Sequence, residues 1–63
     1  MVNTMEMKFE ELLCWIEEKL QSREWKGYVI NITFKKYIKQ ATRITKIINL
    51  FMKYNKKVNI DFY

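Results

Sequence analysis

The spacing of apolar residues changes several times along this chain, and that alternation restricts the folds open to it more than any other property. Met5, Phe9, Leu12, Leu13, Ile16 and Leu20 fall on one stripe at helical spacing, which predicts a helix from about Thr4 to Ser22. Asn3 followed by Glu6 resembles a capping box at its start. The opposite arc carries Glu6, Glu10, Glu11, Glu17 and Glu18, with Cys14 among them, so this helix has an acidic back. Gly27 then supplies the one glycine able to take a turn of positive φ without strain. From Tyr28 the period becomes two: Tyr28, Ile30, Ile32 and Phe34 face one way, and Val29, Asn31, Thr33 and Lys35 the other, predicting a half-buried strand over about residues 28–35. The β-branched Ile, Val and Thr in this run argue against a helix there. Helical spacing returns at Tyr37 or Ile38 and lasts to about Tyr54, with Ile38, Ala41, Ile44, Ile47, Ile48, Phe51 and Met52 spread over roughly 200° of the wheel. Asn55 fits a left-handed C-cap. Val58, Ile60 and Phe62 then alternate with Asn59, Asp61 and Tyr63 in a second strand over about residues 57–63.

The order αβαβ predicts a single α+β domain of two layers. A helix of about 18 residues spans roughly 27 Å and a seven-residue strand about 23 Å, so the second helix can return the chain along the first strand. The two strands are then expected to be parallel neighbours joined by a right-handed crossover, with one apolar face beneath the helices. A two-stranded sheet is marginal in water and open at both edges. The expectation is a short sheet completed by self-association or by a partner strand. Size points the same way, because a domain of 63 residues buries only about 60% of the surface its unfolded chain exposes. Cys14 has no second cysteine to bridge, and the absence of His leaves no structural metal set. An apolar content of 49% is nevertheless too high for a disordered tail.

No run approaches the 18 or so apolar residues of a membrane span, and the N-terminus lacks the pattern of a signal peptide. A cytoplasmic setting without membrane contact is expected. The excess of Lys, Ile and Asn over Arg, Ala, Gly and Pro matches A/T-rich coding, as in small accessory proteins of mobile elements and low-GC microbes.

Charge is split between the halves: residues 1–27 carry a net −2 and residues 28–63 a net +7. Lys39, Arg43, Lys46 and Lys53 fall within about 80° on the wheel of the second helix, with Lys35 and Lys36 just before it. One reading of this strip is a surface that tracks phosphates. The other is a solvated face, or one satisfied by the glutamates of the first helix. Leu50 lies within the same arc, beside an apolar surface wide enough for a partner groove or for packing between the sheet and the first helix. Trp25, in the polar stretch from Arg23 to Gly27, is the candidate for an exposed aromatic anchor, against the plainer role of a boundary aromatic.

Catalytic equipment is sparse. There is no His, no metal-ligand spacing, no Gly-rich phosphate loop and no nucleophile motif, and Cys14 sits among glutamates that oppose thiolate formation. Neither an enzyme nor a cofactor is expected. The binding surface is assigned to Lys35, Lys36, Lys39, Arg43, Lys46, Leu50, Lys53 and Trp25. The function expected is that of a small accessory or regulatory interaction protein, which engages another macromolecule through its basic and apolar helix and an open sheet edge. Direct nucleic-acid binding by the same helix and a structural role in a larger assembly are the alternatives.

Overall fold

The computed structural model describes residues 2–3 and 8–63. It is an α+β domain built in the order β1 (Val2–Asn3), α1 (Phe9–Gln21), β2 (Val29–Phe34), a 3-10 turn (Lys36–Ile38), α2 (Ala41–Lys53) and β3 (Lys57–Phe62). The strands form one parallel sheet in the order β1-β2-β3. Its substance is the six-residue β2–β3 pair, in register from Val29 opposite Lys57 to Phe34 opposite Phe62. The two-residue β1 adds backbone pairing of Val2 with Ile32 and Asn3 with Thr33.

Both helices lie on one face of this sheet. Side chains alternate along a strand, so Ile30, Ile32 and Phe34 turn together into a core with Leu12, Ile16 and Leu20 of α1, Ile47 and Phe51 of α2, and Ile38. Complete burial of such side chains contributes about 1.5–3 kcal/mol each. The opposite face, with Val29, Asn31, Lys57, Asn59 and Asp61, is exposed. On it Asn59 Nδ2 donates to Asn31 Oδ1 at 3.1 Å across the strands. Val58, Ile60 and Phe62 point toward the helices yet are only half-buried. Among the described residues no strand pairs with the outer edge of β3, so the sheet is short and open there.

Two boundaries and one added strand correct the sequence reading. The first helix begins at Phe9, because Lys8 is its N-cap with extended backbone and no side-chain cap. Asn3 belongs to β1, so it is not the cap of this helix. Residues 4–7 of the expected helix, with Met5 and Glu6, lie outside the described residues. The second helix begins at Ala41 and not near residue 37. Ile38 is fully buried whereas Ala41 and Thr42, the residues a continuous helix would stack with it, are exposed. The 3-10 turn and the extended Gln40 let Ile38 enter the core while α2 starts on a different azimuth. The sheet also gains β1, whose two residues are too few to show a period.

Both helices end in Schellman motifs. After α1 the amide of Arg23 donates to the carbonyl of Leu20 and that of Glu24 to Lys19, each at 3.3 Å. After α2 the Asn55 amide reaches Met52 and the Lys56 amide reaches Phe51, each at 3.0 Å. Such motifs place one residue in the left-handed region. Those residues are Arg23 (φ 59°) and Asn55 (φ 58°), and Gly27 (φ 88°) makes the remaining positive-φ turn. Among the described residues no helix is long and apolar enough to cross a membrane.

Candidate functional site

The second helix presents three lines of residues. Ile47 and Phe51 are buried against the sheet. Arg43, Lys46, Leu50 and Lys53 form the flank that meets α1. Ala41, Ile44, Ile48 and Met52, at helical spacing, form the flank that leans toward β3.

On the α1 side the expected single cationic strip is divided. Lys39 precedes the helix, and its Nζ lies 5.8 Å from the centroid of the Phe62 ring at the end of β3. It is therefore removed from the other three, because the helix starts two residues later. Arg43 donates from Nη1 to the carbonyl of Tyr37 at 2.7 Å, and its guanidinium carbon stands 5.4 Å from the Phe9 ring centroid. Lys46 approaches the same ring at 6.0 Å. With Lys8, Glu10 and Thr42 these groups line a shallow recess of mixed aromatic and basic character. Lys53 donates to Glu17 Oε2 at 3.0 Å, and the Tyr54 hydroxyl donates to the same oxygen at 2.8 Å. Gln21 Nε2 donates in turn to the Tyr54 hydroxyl at 3.1 Å. These bonds hold the Glu17 carboxyl below its usual pKa, with the Lys53 bond the larger cause and Tyr54 the second. The same bond to Glu17 raises Lys53 above the ordinary lysine value. Thus Lys53 is a clasp between helices. Leu50 is half-buried and packs on the core, at the edge of a groove with Leu13 and the exposed Cys14. Lys36 is exposed and Lys35 half-buried ahead of the 3-10 turn.

Trp25 is not an exposed anchor. Its ring stacks on Phe51 with centroids 5.6 Å apart and planes 7° from parallel, and Trp15 meets it edge-on at 5.6 Å. It closes one end of the core, because its loop folds back under Lys56, whose Nζ donates to the carbonyls of Trp25 and Gly27. Sequence reading missed Lys56. The signal was its place just after the left-handed Asn55, where a Schellman motif turns the chain back across the helix end.

The β3 side is apolar and uncovered. Tyr28 is 65% exposed, Met52 63% and Ile48 38%. They line one shallow groove with Val58 and the lysines Lys56 and Lys57. This groove runs beside the open edge of β3, so unsatisfied backbone and exposed apolar surface adjoin one another. Among the described residues no cluster of His, Cys, Asp and Glu could hold a metal ion. No family model, curated protein or solved structure matches the chain.

Proposed function

We propose that this protein is a non-enzymatic interaction module that docks another polypeptide on the β3 edge and the adjoining flank of α2. The observation that carries this reading is the exposure of Ile48, Met52 and Tyr28 beside a strand that, among the described residues, has no neighbour on its outer side. An open edge offers backbone hydrogen bonds and the apolar flank offers burial, the combination used in β-strand addition. The remaining lysines of a chain with net charge +5 steer encounters with acidic partners and set their rate more than their strength. A regulatory or accessory role in a mobile element or low-GC microbe accords with the small size and the Lys- and Ile-rich composition.

The test is affinity capture with the wild-type chain and an Ile48→Glu/Met52→Glu variant as baits, with and without nuclease. The expected result is prey that resists nuclease and is lost with the variant. Prey retained equally by both baits would refute docking on this flank.

Direct nucleic-acid binding is favoured by a different observation, the recess where Arg43 and Lys46 surround the Phe9 ring next to Tyr37. Basic groups interleaved with aromatic rings suit single-stranded nucleic acid. This reading requires retardation of a single strand that weakens with salt by about 0.7 in log K per phosphate contacted and is lost in Arg43→Glu/Lys46→Glu. Unaltered mobility of the strand at low salt removes it.

A further inference from the structure

Resting on the reading of β3 and the α2 flank as an interaction surface, we propose that its partner is a second copy of this chain, paired β3 to β3 antiparallel about a two-fold axis at Asn59. Lys57 donates its amide to the carbonyl of Tyr28, and Tyr63 donates to Phe34. The N–H and C=O of one residue in a strand point to the same side, and those of the next residue point to the other. Lys57, Asn59 and Asp61 therefore spend their backbone groups on β2. Val58, Ile60 and Phe62 direct theirs to the open edge.

An antiparallel neighbour must then place its own even-numbered residues opposite Val58 and Ile60. A slip of one residue fails, because it would also turn every side chain to the wrong face. Of the registers that remain, the one centred on Asn59 sets Lys57 of each copy opposite Asp61 of the other, on the same polar face. Moving the centre to Val58 or Ile60 sets Lys57 opposite Asn59 or Tyr63 and loses both charge pairs. In the Asn59 register Val58 lies opposite Ile60 of the second copy, and the two exchange backbone hydrogen bonds. Asn59 meets its own mate as a non-hydrogen-bonded pair, the closer of the two pair types. Its Nδ2 donates to Asn31 Oδ1 of its own chain, so the two mates turn like acceptors toward the seam and the register is set by the Lys57 and Asp61 pairs.

The other face fits the same symmetry. A two-fold axis perpendicular to the sheet keeps both helical layers on one side and brings the two α2 helices together across the seam. Ile48 and Met52, exposed beside Val58 in the single chain, then cover their counterparts. The self-complementary order Lys57, Asn59, Asp61 thus names a second copy as the occupant, since a different chain would have no reason to match it.

Sedimentation equilibrium of the full chain, from micromolar to near-millimolar concentration, should give twice the 7.8 kDa chain mass. Lys57→Asp and Asp61→Lys should each weaken self-association by about tenfold or more, since each sets like charges opposite one another twice. An equimolar mixture of the two variants should restore wild-type affinity as a heterodimer, identified by mass, because every charge then meets its opposite. Both substitutions lie on the exposed face, and circular dichroism checks that each variant remains folded. Hydrogen exchange on the wild type needs no variant: the amides of Val58 and Ile60 should slow as concentration rises. A wild type that stays monomeric, single variants that self-associate normally, or a mixture without rescue overturns the pairing. A monomer whose prey is still lost in Ile48→Glu/Met52→Glu would overturn only the second copy as partner and leave the interaction surface standing.

Discussion

Arg23 holds a backbone conformation that costs an L-residue about 1–2 kcal/mol. It does so because the Schellman motif after α1 needs a left-handed residue at that place. Gly27 meets a similar demand without a Cβ, and a Cβ built there touches nothing within 4 Å. The two sites therefore make opposite predictions from one cause. Arg23→Gly should stabilise the fold by roughly 0.5–1 kcal/mol once the looser unfolded chain is counted. Gly27→Ala should destabilise it by about 1 kcal/mol through backbone strain alone. In a domain of this size about 1 kcal/mol moves Tm by roughly 4–8 °C, so thermal melts resolve both signs. Trp25 belongs to the same scale. Stacked on Phe51 and half-buried, it should cost about 2–4 kcal/mol on substitution by Ala, toward the low side of values for aromatic truncation. A loss below about 0.5 kcal/mol in denaturant melts would show that it does not close the core.

At the scale of elements, α1 and α2 are fastened by the carboxylate of Glu17, which accepts from Lys53 and Tyr54. The folded-state pKa of Glu17 is depressed. Its contribution is therefore fully present above the unfolded carboxyl pKa and is lost as pH falls through the folded value. Lys53 is raised, so its contribution is present below the unfolded lysine pKa and is lost as pH rises through the folded value. Denaturant melts of the wild type against Glu17→Gln should diverge at neutral pH and converge in acid. Parallel curves from neutral pH down through the carboxylate range would show that the clasp contributes nothing. The elements also show what the residue order disclosed. The alternation of Ile30, Ile32 and Phe34 against Asn31 and Thr33 located β2, and Asn55 marked the end of α2. The start of α2 was hidden because Ile38 keeps helical spacing with Ala41 while tertiary packing turns it into the core. β1 was hidden because two residues carry no periodicity. The cationic strip was half legible: a wheel places Lys53 beside Arg43 and Lys46, but only the packed helices reveal that Glu17 meets it.

Taken whole, the molecule covers β2 well and β3 poorly, because two helices of 13 residues each cannot roof the full width of the sheet. That shortfall underlies the surface assigned to a partner. It also makes stability depend on association. If copies pair through β3, only the folded state binds the second copy, so mass action must raise Tm as total protein concentration rises. Calorimetric scans over a hundredfold range of concentration should show this upward drift in the wild type and a smaller one in Lys57→Asp. A Tm independent of concentration would mean that the folded monomer supplies all of the stability measured.

The near-perpendicular meeting of Trp15 and Trp25, 75° between planes at 5.6 Å, gives the molecule an optical signature of its own. Two indoles this close couple their excited states, and the expected outcome, where their transition dipoles are skewed to one another, is a paired positive and negative circular dichroism band. The band depends on both rings being held in place, so it should vanish when the loop from Ser22 to Tyr28 lifts away, even where helical signal persists.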